Sequence, residues 1–280
     1  MFAILKHTLA NWLGHRMPRH AAALAFFTLF ALAPIVLATV FAAGRFLGEE
    51  YVRSEALDIV REFIGPAAAQ TLQQIFSNWQ PPTLEWGPGL VALGALVFAA
   101  TAFFVQLHDS LNIIWHVESE RSAVAFTLYR RLLSFAMVLI SGVVLLALFA
   151  VNAALTTFHR LLTERFDVPV DLFEYLNLGA SLAITAVLLA ALFHFVPDAR
   201  VRWRDAVIGG SMTAVLFVAG KWLMGRYLRV ANLASAYGAA GSLVVTLIWV
   251  YYCSLIILLG AEFTYAYSER RRTTRERRRP

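Results

Sequence analysis

Six stretches of this sequence are long and apolar enough to cross a bilayer, and a chain with six such stretches has few ways to fold. A hydrocarbon core about 30 Å thick is crossed by roughly 20 helical residues. The runs are Ala21 to Ala43, Pro88 to Leu107, Leu132 to Leu155, Tyr175 to Val196, Ala206 to Leu223 and Ser242 to Glu262. The fifth is the weakest, since Lys221 sits near its end and Gly209, Gly210 and Gly220 lower its helix propensity, yet glycine is common in membrane helices. The predicted fold class is therefore all-α: a polytopic membrane protein with six transmembrane helices. Composition agrees, with 59% apolar and 15% charged residues, too apolar for an ordinary soluble domain. The first run carries no small-residue cleavage pattern and reads as a retained span. Cys253 is the single cysteine, so no disulfide within the chain and no cysteine-rich metal site is expected.

Six spans put both termini on one side, and the basic residues choose the side. With the termini cytoplasmic, the inner segments hold 16 of the 24 Lys and Arg residues, seven of them arginines after Glu262. That bias favours both termini on the cytoplasmic side. Residues 1–269 form the expected membrane domain, and 270–280 a basic cytoplasmic tail suited to anionic headgroups. Between the first two spans, Val52, Ala56, Ile59, Val60 and Phe63 recur at helical spacing among charged residues. Gly65-Pro66 ends that helix, and Leu72, Ile75, Phe76 and Trp79 mark a second. An amphipathic helical hairpin is expected there, outside the cell, as a cap, a gate or a partner site.

Catalytic motifs are missing. His7, His15, His20, His108, His116, His159 and His194 form no HExxH and no close ligand pair with an acid. There is no GxxxxGK[ST] phosphate loop and no GxSxG elbow. No metal, no cofactor and no enzymatic activity is expected. The net charge of +6 is accounted for by membrane sidedness, so no nucleic-acid partner is expected either.

Polar residues within the spans are the candidate site. Ala92, Ala95, Ala99 and Ala102 continue at spacings of three and four to Gln106 and Asp109, which reads as a packing seam or as a polar-ended pathway. His108 and Asp109, adjacent on a helix, point about 100° apart. His20, His108, His194, Asp198 and Glu262 fall near the inner ends of spans, at the depth of a vestibule. In the fifth span, Gly210, Ala214, Phe217 and Gly225 share a face with Lys221, and Arg226 and Arg229 follow. Lys221 is either an outer-leaflet anchor or a cationic group for an anionic headgroup. The candidate substrate-binding residues are Lys221, Arg226, Arg229, Gln106, Asp109, His194 and Glu262.

Three stretches together, AAALAFFTLFALAP (21–34), FFVQLHDSLNIIWHVE (103–118) and VPDARVRWRDAVIGG (196–210) continued by SAYGAAGSLVVTLIWVYYCSLIILLGAEFTYAY (235–267), resemble the YihY/BrkB family of bacterial inner-membrane proteins. The family once carried the label ribonuclease BN. The resemblance covers nearly the whole chain and implies a six-helix membrane protein concerned with the envelope and with lipids or other amphiphiles. The expected function is transport or flippase-like handling of an amphiphile without an ATPase of its own. A membrane scaffold using the outer hairpin is the alternative, and a tRNA-processing ribonuclease a more distant one. Membrane lipids are the expected partners, a homo-oligomer is compatible with the sequence, and substrate, direction and coupling stay open.

Overall fold

The structure is a computed structural model that describes residues 2–63, 66–78, 101–117, 170–231 and 241–276. These residues form eight helices and, among them, no strand. They are α1 (Phe2–Gly14), α2 (Met17–Leu47), α3 (Glu49–Phe63), α4 (Pro66–Asn78), α5 (101–114), α6 (Val170–Phe195), α7 (Trp203–Ala231) and α8 (Gly241–Glu276). Within α7 and α8, Trp203–Tyr227 and Leu243–Arg271 are long and apolar enough to cross a membrane. The first predicted run lies within α2, and the fourth lies in α6 from Tyr175 to the helix end at Phe195, one residue short of the predicted Val196. The third run, most of the second, and Ala92, Ala95 and Ala99 of the alanine stripe lie outside the described residues. At 1.5 Å per residue, the 36 residues of α8 extend about 54 Å, well beyond the hydrocarbon thickness. The helix is unbroken at residue 269 and carries the first part of the basic tail.

The seam between α7 and α8 is made of paired small residues. Gly209 of α7 faces Thr264 of α8, and Gly260 of α8 faces Thr213 of α7, each glycine leaving the space that the opposing threonine fills. Each threonine hydroxyl donates to the carbonyl four residues back on its own helix, which is that of the glycine: Thr213 to Gly209 at 2.6 Å and Thr264 to Gly260 at 2.7 Å. The hydroxyls are thereby satisfied within the seam, as a buried polar group must be. Gly220 admits the Tyr252 ring, and a Cβ on Gly210 would lie 2.7 Å from the Ala186 carbonyl, so α7 is held close to α6 on a second face. Close approach of backbones is what small residues contribute where hydrophobic burial between helices is weak.

The hairpin is packed onto neighbouring helices. Val52, Ala56 and Val60 of α3 and Ala69, Leu72 and Phe76 of α4 are buried, with α3 against α2 and α4 against α3 and α8. Its outer surface carries the Arg53–Glu49 and Arg61–Asp58 pairs at 2.6 Å, which as exposed pairs contribute at most several tenths of a kcal/mol.

Helix α1 was not expected from apolar periodicity. It packs on α2 and α8, buries Thr8, and leaves Leu5, Leu9 and Leu13 exposed along one side. Arg16, in the left-handed region at φ 56°, breaks it from α2, and Pro18 opens α2 where a missing N–H costs nothing. The hydrophobic core lies at this end of the bundle, where Met17 and Leu24 meet Leu111, Phe193, Ala206 and Leu258.

Candidate functional site

Around that core runs a belt of polar side chains supplied by five helices. One member is Glu262 on α8, fully buried, whose Oε1 lies 2.6 Å from Nδ1 of His15. His15 closes α1 immediately before the left-handed Arg16, so the backbone break places it. Its ring meets that of His116 edge-on at 5.1 Å, and His116 in turn packs 5.1 Å from Tyr265.

His116 ends α5 in a conformation normally left to glycine. With φ 54°, it donates its N–H to Ile113 O at 3.2 Å while Val117 N–H reaches Asn112 O at 3.0 Å, the 5→2 and 6→1 bonds of a Schellman cap. A side chain in this region costs roughly 1–2 kcal/mol. Two such non-glycine residues, Arg16 and His116, thus flank the His15–Glu262 pair, and strain of this kind gathers at functional sites.

A second contact joins α2 to α5. Gln106 donates its amide to His20 Nδ1 at 3.3 Å and to Ser110 Oγ at 3.2 Å, and the Ser110 hydroxyl returns to Gln106 O at 2.7 Å. Burial pushes the His20 imidazole below its ordinary value, opposed by the negative charge of nearby Asp109 and assisted by His15.

The third contact fastens the loop between α6 and α7. Asn112, 3% exposed, donates to Asp198 Oδ2 at 2.7 Å and accepts the Asp198 backbone N–H at 2.9 Å. His108 Nε2 lies 3.2 Å from the same carboxylate oxygen. His194 donates Nδ1–H to Val201 O at 2.7 Å and lies over the Trp203 ring, 4.3 Å between centroids. Beyond the belt, Arg271 bonds the buried Asp205 at 3.1 Å and ties the end of α8 to the start of α7.

Of the residues singled out from sequence, Gln106, Asp109, His194 and Glu262 belong to this belt, although in separate contacts. The vestibule set of His20, His108, His194, Asp198 and Glu262 likewise divides among the three. His108 and Asp109, adjacent on the helix and expected to point apart, approach to 4.0 Å between Nδ1 and Oδ1. Lys221 is half-buried on α7, within electrostatic reach of Cys253 on α8. Gly210 and Ala214 on its face are buried, while Phe217 is half-buried. Arg226 lies over the exposed Trp222 ring at 4.9 Å. Arg229 continues the same helix, and its side chain lies outside the described residues.

Sequence reasoning missed His15 and Asn112. His15 was visible as one histidine among seven, but its partner is 247 positions away. Asn112 falls inside the FFVQLHDSLNIIWHVE stretch, and its Asp198 partner inside VPDARVRWRDAVIGG, so two stretches that looked distinctive in sequence meet in one bonded contact.

Two helices of bilayer-spanning length and a close small-residue seam fit an integral membrane protein, and the comparison with known proteins assigns that class. A profile of the family described as "Virulence factor BrkB" matches residues 8–280. The chain belongs to the BrkB family. It is 27% identical over 276 residues to a UPF0761 membrane protein of Vibrio vulnificus, covering 96% of this chain and 83% of that one. A UPF0761 membrane protein of Pseudomonas paraeruginosa is 31% identical over 265 residues, 90% of this chain and 61% of the relative. One from Alkalilimnicola ehrlichii is 28% identical over 250 residues, 89% and 54%. The chain therefore spans under two thirds of the length of the latter two. No solved structure matches.

Proposed function

We propose that this protein moves or presents an anionic amphiphile across the cytoplasmic membrane, flippase-like and without its own ATP hydrolysis, with the belt end and both termini in the cytoplasm. The observation that carries the reading is the composition of the far end of α7. There Lys221 is half-buried beside α8, and Arg226 lies against Trp222, with Trp222, Leu223 and Tyr227 exposed on the same helix. Cations set among exposed apolar and aromatic side chains match an amphiphile that has an anionic head and an apolar body. The polar belt at the opposite end, in which Glu262 and His108 are buried, supports it, because ionisable groups inside a membrane bundle mark pathways more often than they stabilise. The hairpin scaffold reading draws no comparable support, since the apolar faces of α3 and α4 are spent on internal packing.

Vesicles holding NBD-labelled phosphatidylglycerol, with dithionite quenching the outer leaflet, test it. Wild-type protein should speed leaflet exchange, Lys221→Arg should retain the effect, and Lys221→Gln should reduce it. Lys221→Glu should abolish it in a protein with an unchanged melting temperature, because a like charge repels the headgroup. Equal exchange with Lys221→Glu, or none with wild type, defeats the reading.

A further inference from the structure

Glu262 is a fully buried carboxylate in a membrane helix, and among the described residues only one of its oxygens has a hydrogen-bond partner. Oε1 meets His15 at 2.6 Å, while Oε2 is buried with no hydrogen-bond partner among the described residues. A charged carboxylate left in this way forfeits several kcal/mol of solvation. A proton shared between Oε1 and Nδ1 removes most of that penalty, because with one proton held the pair is neutral overall whichever atom carries it. His15 is 21% exposed, so one end of the pair reaches water while the other reaches the core. The groups facing the pair from neighbouring elements are His7 of α1, His20 of α2, His116 of α5, with Asp109 beyond His20, and Tyr265 on α8 itself, with Glu269 beside it. No Lys or Arg among the described residues forms an ion pair with Glu262.

We propose that the His15–Glu262 pair is a proton-binding site and that the proton it holds is the coupling ion of this protein. A proton from the adjacent water is taken on His15 and shared with Glu262. It leaves when the bundle opens far enough for water to reach Oε2 and solvate the bare carboxylate. No covalent bond other than those to the proton forms or breaks. The location suits coupling, because His15 sits at the α1–α2 break and α8 carries Glu262 on one face and Thr264 on the other, so a movement of α8 that opens the α7–α8 seam at Gly209 also moves Glu262 relative to His15. The proposal rests on the transport reading for its second half, the role of the proton in the cycle, and on the structure alone for its first.

Two measurements separate those halves. In the first, infrared difference spectra of wild-type protein in phosphatidylethanolamine–phosphatidylglycerol vesicles are taken between acid and alkaline buffer. A carboxylic-acid C=O band that Glu262→Gln removes is the expected result. Absence of a band, or a band that Glu262→Gln leaves unchanged, overturns the site. If Glu262→Gln does not fold, His15→Gln is read instead: it should shift the band and its titration midpoint, and an unshifted band overturns the pairing. In the second, exchange of NBD-phosphatidylglycerol is followed under an imposed pH gradient. Gradient-driven acceleration that disappears in Glu262→Gln supports coupling, and exchange that follows a Na⁺ gradient or ignores both overturns it. Absence of exchange under every condition defeats the transport reading and, with it, coupling, and leaves the proton site to the infrared result.

Discussion

Thr264 of α8 occupies the space that any side chain on Gly209 of α7 would need, and Thr213 of α7 does the same to Gly260 of α8. The arrangement is reciprocal because each threonine lies four residues after a glycine on its own helix, and its hydroxyl bonds that glycine's carbonyl. One turn of each helix therefore presents both the hole and the filler.

Gly209→Leu and Gly260→Leu should each lower the apparent melting temperature in detergent, by an energy of about 1–3 kcal/mol or more, since neither backbone can recede without parting the helices. Thr264→Ala, which shrinks the filler and deletes a hydroxyl already bonded within its own helix, should cost less than either. Equal losses for the three would mean that the seam does not set the distance between α7 and α8.

Asp198→Ala should destabilise by about 1–3 kcal/mol, because it removes the Oδ2 to which the buried Asn112 amide donates at 2.7 Å and which lies 3.2 Å from His108 Nε2. Asp198→Asn keeps an oxygen for Asn112 and should recover part of the loss. Thermal unfolding in the same detergent compares the two.

Replacing His116 separates its strain from its ring contacts. His116→Ala loses the rings of His15 and Tyr265 and keeps the left-handed backbone, whereas His116→Gly loses the same rings and relieves it. The glycine variant should be the more stable of the two by about 1 kcal/mol. The melting temperatures of the pair decide this without reference to wild type.

His20 should make stability fall in acid. Its folded value lies below the ordinary 6.5, so the unfolded chain takes the proton first; the contribution is complete above about 6.5 and is lost as pH falls toward the folded value. His20→Gln should flatten that part of the profile when melting is measured between neutral and mildly acid pH. An identical slope would mean that His20 is solvated.

Orientation can be read with a membrane-impermeant thiol reagent on whole cells, in a Cys253→Ala background. Ser54→Cys, on the exposed face of α3, should label, and Glu269→Cys, on the exposed part of α8, should label only in inverted vesicles. The reverse pattern would place the belt outside the cell.

The sequence by itself determined the class of this protein, because hydropathy over some 20 residues is a local quantity and the bilayer imposes the same length on every span. It likewise marked the hairpin, since Val52, Ala56 and Val60 recur at a period that needs no partner to be seen. It also marked Gly209, Gly210 and Gly220, but only as weak points in a helix. That Gly209 and Gly220 face α8 while Gly210 faces α6 is a matter of helix rotation, which the neighbouring helices set. Helix α1 escaped notice because a 13-residue helix held by packing on α8 carries little signal of its own. Glu262 could be placed at the end of a span by counting residues. Its partner could not, because His15 is brought to it by a left-handed residue at Arg16 and by the docking of α1 across 247 positions of chain. Pairing in space, and the burial that leaves one carboxylate oxygen without a donor among the described residues, are properties of the packed bundle, and only the tertiary structure decided them.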